Sequence, residues 1–146
     1  MQVAVSIEID RPREEVFRAL ADFPRHTDWN YGLESSEVLD ATEGLVGTRL
    51  KQAYGESLRL LTFTGEVTAC VPPERIEIAW KSRSIDVEDV YLLAGTETGT
   101  LLEQRSEWHL KSWFALMMRA FFEEEHRHRQ HNDLKKLKAL LETEDS

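Results

Sequence analysis

Residues 100–141 read TLLEQRSEWHLKSWFALMMRAFFEEEHRHRQHNDLKKLKALL, and the change of period inside this stretch decides the fold. Up to Leu110 the period is two. Leu102, Gln104, Ser106 and Trp108 share one face, while Glu103, Arg105, Glu107 and His109 share the other. A strand whose one face is charged turns its other face inward. From Ser112 to Leu141 there is neither Gly nor Pro, and the period becomes helical. Phe114, Met118, Phe121 and Phe122 open an apolar stripe that Leu134, Leu137 and Leu141 close, with His126 and Gln130 on the same face between them. At ~1.5 Å per residue this helix is about 45 Å long. Its stripe needs a large apolar partner, and a curled sheet supplies one.

Working outward, the rest of the chain reads as that sheet. Val3, Val5, Ile7 and Ile9 alternate with smaller or polar residues, which predicts a first strand. Asp10 offers an N-cap and Pro12 an early helical position for a short helix carrying Val16, Phe17 and Leu20. Phe23-Pro24 interrupts it, and a second turn runs to Trp29, read as a plug that holds this segment down. Strands are then expected near 33–40, 46–54, 57–70, 75–82, 86–94 and 100–110, separated by Gly-, Pro- and Ser-rich turns. Connections this short imply antiparallel neighbours. The phase of 57–70 is ambiguous, and a bulge is expected at Gly65. The reading is an α+β chain in β-α-α-β6-α order, about seven strands around a long C-terminal helix, with 1–146 as one domain.

The formal net charge is −9, with 27 acidic and 18 basic side chains. The acidic excess lies in residues 1–110, so the β-rich part repels phosphate backbones and nucleic acid is not an expected partner. Cys70 is the only cysteine, which suits a reduced thiol. The N-terminus lacks a basic region followed by an apolar run, and the longest apolar stretch falls far short of the ~20 residues of a membrane span. A cytoplasmic protein is expected.

Several short motifs carry a resemblance. They are Ile7-Glu8-Ile9-Asp10-Arg11-Pro12 with Glu15-Val16-Phe17, Asp22-Phe23-Pro24 through Trp29, and Gly44-Leu45-Val46-Gly47-Thr48. Val67-Thr68 leading into Pro72-Pro73-Glu74-Arg75-Ile76, Thr98-Gly99-Thr100 and the closing Asp133-Leu134 to Leu141 complete the set. In this order and spacing the chain resembles the START-like (SRPBCC, helix-grip) superfamily, in its polyketide cyclase/dehydrase-like branch. The resemblance implies a helix-grip fold with a ligand cavity between sheet and helix. It implies no reaction, because relatives include aromatic polyketide cyclases, lipid carriers, hormone receptors and co-chaperone activators, and no catalytic signature is common to them.

Strand and helix phase name the expected cavity lining: Gln52, Tyr54, Trp80, Leu102, Gln104, Ser106 and Trp108 from the sheet, and Met118, Phe122 and His126 from the helix. An apolar wall carrying a few isolated polar groups is the expected character. The histidine-rich run 123–131 does not make a metal site. His126 and His128 are about 200° apart around a helix at ~100° per residue, and the one shared face, Glu124, His128 and His131, reads as solvated. No Ser-His-Asp order, phosphate loop or H-E-x-x-H is present. The segment Trp113 to Met118 is apolar nearly all round, so part of it is open to a homodimer contact. The expected function is to bind or carry a small hydrophobic or amphipathic molecule, without cofactor. A polyketide cyclase or dehydratase and a co-chaperone-like interaction module are the alternatives.

Overall fold

The computed structural model describes residues 2–56, 59–111, 113–117 and 119–143. Seven strands, β1 (Gln2–Ile9), β2 (Leu33–Asp40), β3 (Arg49–Glu56), β4 (Arg59–Val71), β5 (Arg75–Lys81), β6 (Ile85–Gly95) and β7 (Thr100–Leu110), form one antiparallel sheet. The order is β1-β7-β6-β5-β4-β3-β2. Strands β2 to β7 are therefore a meander, and the first strand closes against the last. Ile9 pairs with Thr100 and Val3 with Ser106.

Between β1 and β2 run α1 (Arg13–Ala21) and a 3₁₀ helix (Phe23–Asp28). Asp10 does not cap α1. The cap position is Pro12, extended at φ −60 and ψ 152, and it makes no side-chain capping bond. Asp10 donates its backbone N–H to Glu142 Oε2 at 2.8 Å, while the Arg11 guanidinium donates to the Glu142 carbonyl at 2.9 Å. The loop ahead of α1 is thus tied to the far end of the C-terminal helix.

That helix is described as α2 (Trp113–Met117) and α3 (Arg119–Thr143), with Met118 outside the described residues. Leu134 and Leu137 are buried on its sheet side. They join Val3, Ile9, Val16, Leu20, Ile76 and Leu102 in the core. Trp29 is 3 % exposed and its ring lies 4.8 Å from that of His26, which fits the plug reading.

The irregularity in β4 sits at Thr68, not at Gly65: the register against β5 jumps between Val67 and Ala69. Gly65 serves a different purpose. It pairs directly with Trp80, and a Cβ there would stand 2.5 Å from the indole. The missing side chain lets the indole lie flat against its neighbour strand, inside the sheet's curve.

Candidate functional site

Under α3 the inner face of the sheet encloses a cavity of about 60 Å³. At ~30 Å³ per water that is room for about two waters. Of the residues expected from sequence, Gln52, Tyr54, Trp80, Gln104 and Trp108 line it. Ser106 stands directly behind the lining, and His126 packs on Trp108 with ring centroids 3.9 Å apart and 19° between planes. Leu102 is fully buried in the core and not on the cavity wall, because its cross-strand partners Ile7 and Leu93 fill the space around it. Met118 and the side chain of Phe122 lie outside the described residues.

The wall is more polar than its sequence suggested. Asp89 borders the cavity from β6, and its carboxylate gathers donors. The Ser106 hydroxyl donates to Oδ1, Gln104 Nε2 reaches the same oxygen at 3.4 Å, and the Trp80 indole also bonds the carboxylate. Gln130 Nε2 donates to Ser106 Oγ at 2.7 Å, which links helix to strand. Burial raises the Asp89 carboxyl above the ordinary carboxylate range, and these bonds hold the rise in check.

Three further groups reach the cavity from α3 and the 3₁₀ helix. Asp133 accepts the Tyr31 N–H at 3.0 Å, and burial lifts its carboxyl to about 6. Arg129 places its guanidinium 5.7 Å from the centre of the Tyr54 ring. His26 donates from Nε2 to the Leu20 carbonyl at 2.7 Å and receives Gln52 Nε2 at Nδ1 at 3.5 Å. Burial pushes His26 down to about 4, so its ring is neutral. Burial, with the Arg129 charge second, does the same to His126. Tyr54 and Tyr91 are raised by burial as well and keep their protons.

Sequence reasoning missed Asp89, Tyr91, Arg129, Asp133 and His26. A signal existed for Asp89. Val87, Tyr91 and Leu93 are the inward set of β6, and Asp89 is the lone acid in that phase. For Arg129 no comparable signal exists, since it sits in a run of mixed charges that reads as a solvated helix face.

Two other features carry less. A larger hollow of about 470 Å³ opens outside, between α1, the 3₁₀ helix and the end of α3. It is bordered by exposed ion pairs such as Arg25–Asp28 at 3.1 Å and, unlike the interior cavity, includes none of the buried titratable groups. Among the described residues one group places metal-type ligand atoms within 4.8 Å of one another: Glu88, Glu107 and His109, on the opposite face of β6 and β7. Glu124 and His128 of α3 are exposed, and His128 Nε2 accepts from Asn132 at 3.2 Å.

A family model described as polyketide cyclase / dehydrase and lipid transport matches residues 1–142. The chain belongs to this family. No curated protein matches it. Solved structures of this fold include a Thermus thermophilus protein, 19 % identical at a TM-score of 0.83, covering 99 % of this chain and 100 % of that one. A Chromobacterium violaceum protein is 24 % identical at 0.78, covering 98 % and 99 %. The Zhui aromatase/cyclase of a Streptomyces species is 13 % identical at 0.77, covering 97 % and 93 %. At these identities the likeness is one of fold, and the helix-grip architecture is shared across it. Among the described residues no helix of this family member is long and apolar enough to cross a membrane.

Proposed function

We propose that this polyketide cyclase/dehydrase-family protein binds a small amphipathic molecule, polar end first, in the cavity beneath α3. The observation that carries the reading is the gathering of Asp89, Gln104, Tyr54, Arg129 and Asp133 around one interior space. A core that served packing alone has no use for two carboxylates at this depth, because each costs free energy to desolvate. The space, about 60 Å³, suits a head group and not a whole ligand, since drug-sized pockets measure about 300–1,000 Å³. The remainder of the molecule leaves past Asn30, Tyr54 and Arg129, which with Asp89 are the partly exposed members of the wall.

Trp80 and Trp108 both line the cavity, so occupation changes tryptophan emission. A panel of amphipathic aromatic compounds should include members that saturate the signal at one site per chain. If no compound saturates it, and native mass spectrometry of the purified protein finds no co-purified small molecule, the reading fails.

One observation favours acid–base chemistry as a second reading. Asp89 has a raised carboxyl held by three donors, in a cavity that also carries two phenols. Such a group is a candidate to exchange a proton with a bound carbonyl compound. Turnover of a poly-β-carbonyl substrate that Asp89→Asn abolishes, with ligand affinity preserved, would establish it. Binding without turnover leaves the carrier reading in place.

A further inference from the structure

Several side chains around the cavity are committed to bonds within the protein, and two acceptors are not. Ser106, Gln104 and Trp80 donate to Asp89, the Gln130 amide nitrogen donates to Ser106, and Gln52 Nε2 donates to Ser36 Oγ at 3.1 Å. Those five donors are engaged within the protein; the Arg129 guanidinium and the Tyr54 and Tyr91 hydroxyls also border the cavity, and beside them stand open acceptors. Gln130 is 7 % exposed, and its Oε1 has no partner among the described residues. Asp133 receives only the Tyr31 N–H, at Oδ1, among the described residues.

Charge leans the same way. Asp89 and Asp133 face one guanidinium, Arg129, which forms no ion pair among the described residues and lies instead over the Tyr54 ring. Phe63, Trp80, Tyr91 and Trp108 add aromatic faces to the wall. Rings attract cations to their faces, and an uncompensated buried carboxylate calls for a positive partner. The protein's own guanidinium over Tyr54 shows that this wall already holds one cation.

Resting on the binding reading above, we propose that the polar end this cavity accepts is a compact organic cation, a protonated primary amine or small alkylammonium, with Asp89, Asp133 and Gln130 Oε1 as its acceptors. The cation offsets the desolvation cost of the two carboxylates and donates to the open acceptors. Arg129, the other positive charge at the site, opposes it. This places the ligand class apart from the acidic and neutral amphiphiles that the fold alone would allow.

Isothermal titration with three probes of matched shape tests the assignment: 3-phenylpropylamine, 3-phenylpropanol and 3-phenylpropanoate. The amine should bind about tenfold more tightly than the alcohol, and the carboxylate most weakly. Asp89→Asn and Asp133→Asn should each cost the amine about tenfold while leaving the alcohol unchanged, and Arg129→Met should tighten the amine. Equal affinity for amine and alcohol overturns the assignment. So does a carboxylate that binds best and is lost in Arg129→Met, an outcome that leaves the binding reading standing. Failure of all three probes in the parent protein overturns both readings together, and this needs no variant to fold.

Discussion

Leu102 and Ser106 stand four residues apart on the same inward face of β7, yet they meet different worlds. Ser106 meets Gln130 of α3 and is drawn into the Asp89 network. Leu102 lies toward the end where β1 and the close of α3 are tied together by Lys138, which donates to the Glu8 carbonyl at 2.8 Å. There the helix offers Leu134 and Leu137, and the inward face is apolar apart from Thr100, whose hydroxyl donates to the Arg11 carbonyl. One half of the concave face is a packed, largely apolar core; the other is a polar cavity. The strand's alternation is the same in both halves. The strand sets which residues face inward, whereas the helix residue opposite determines whether that interior is core or cavity.

Leu137→Ala strikes the apolar half. It deletes methyl groups from a side chain 1 % exposed, where neighbours cannot collapse freely, and should cost about 2–5 kcal/mol of unfolding free energy. Denaturant melts check this. A loss below about 1 kcal/mol would mean that the half is not tightly packed and would erase the contrast.

Gly65→Ala tests the border between the halves. Its Cβ must displace the Trp80 ring, costing about 1–3 kcal/mol, and the indole emission should shift because Trp80 lines the cavity. An unmoved spectrum would show that the ring has room to spare.

Asp133→Asn sharpens the polar half through pH. The folded carboxyl titrates at about 6, against the ordinary 3.8, so between these values the folded chain holds a proton that the unfolded chain has released. Stability contributed by this group therefore falls as pH rises through that window. Asn should stabilise the chain at about pH 8, on the order of 1 kcal/mol after solvent screening, and give no gain near pH ~3.5. The measurement is the difference between variant and parent, because His26 and His126 act with opposite sign. Both are held at about 4, stay unprotonated in the fold, and cost stability as pH falls from 6.5 toward 4. A gain independent of pH would contradict the burial argument.

Gln104→Leu carries the smallest effect. Its bond to Asp89 is long at 3.4 Å, and Ser106 and Trp80 remain as donors, so stability should change by no more than about 0.5 kcal/mol. A large loss in thermal melts would make the cavity half as intolerant as the core.

The β-α-α-β6-α order, the antiparallel meander, the inward phase of Gln52, Trp80, Gln104 and Trp108, and the long closing helix were legible in the chain alone. These follow from period and turn chemistry, which are local properties of the chain. Even the plug at Trp29 was legible, as a large apolar residue between two polar turns. Local reasoning misplaced the cap of α1 and the bulge of β4: Glu142 claims the Asp10 amide, and Gly65 makes room for Trp80 in regular register while the jump falls at Thr68. The character of the cavity belongs to tertiary structure alone. Asp89 lies in β6, Arg129 and Asp133 on α3 and His26 in the 3₁₀ helix, and only the folding of helix onto sheet brings them to one space. Alternation records whether a side chain points in or out. It carries no record of what stands opposite, and burial beside those opposite groups is what raises the carboxyls and keeps the imidazoles neutral.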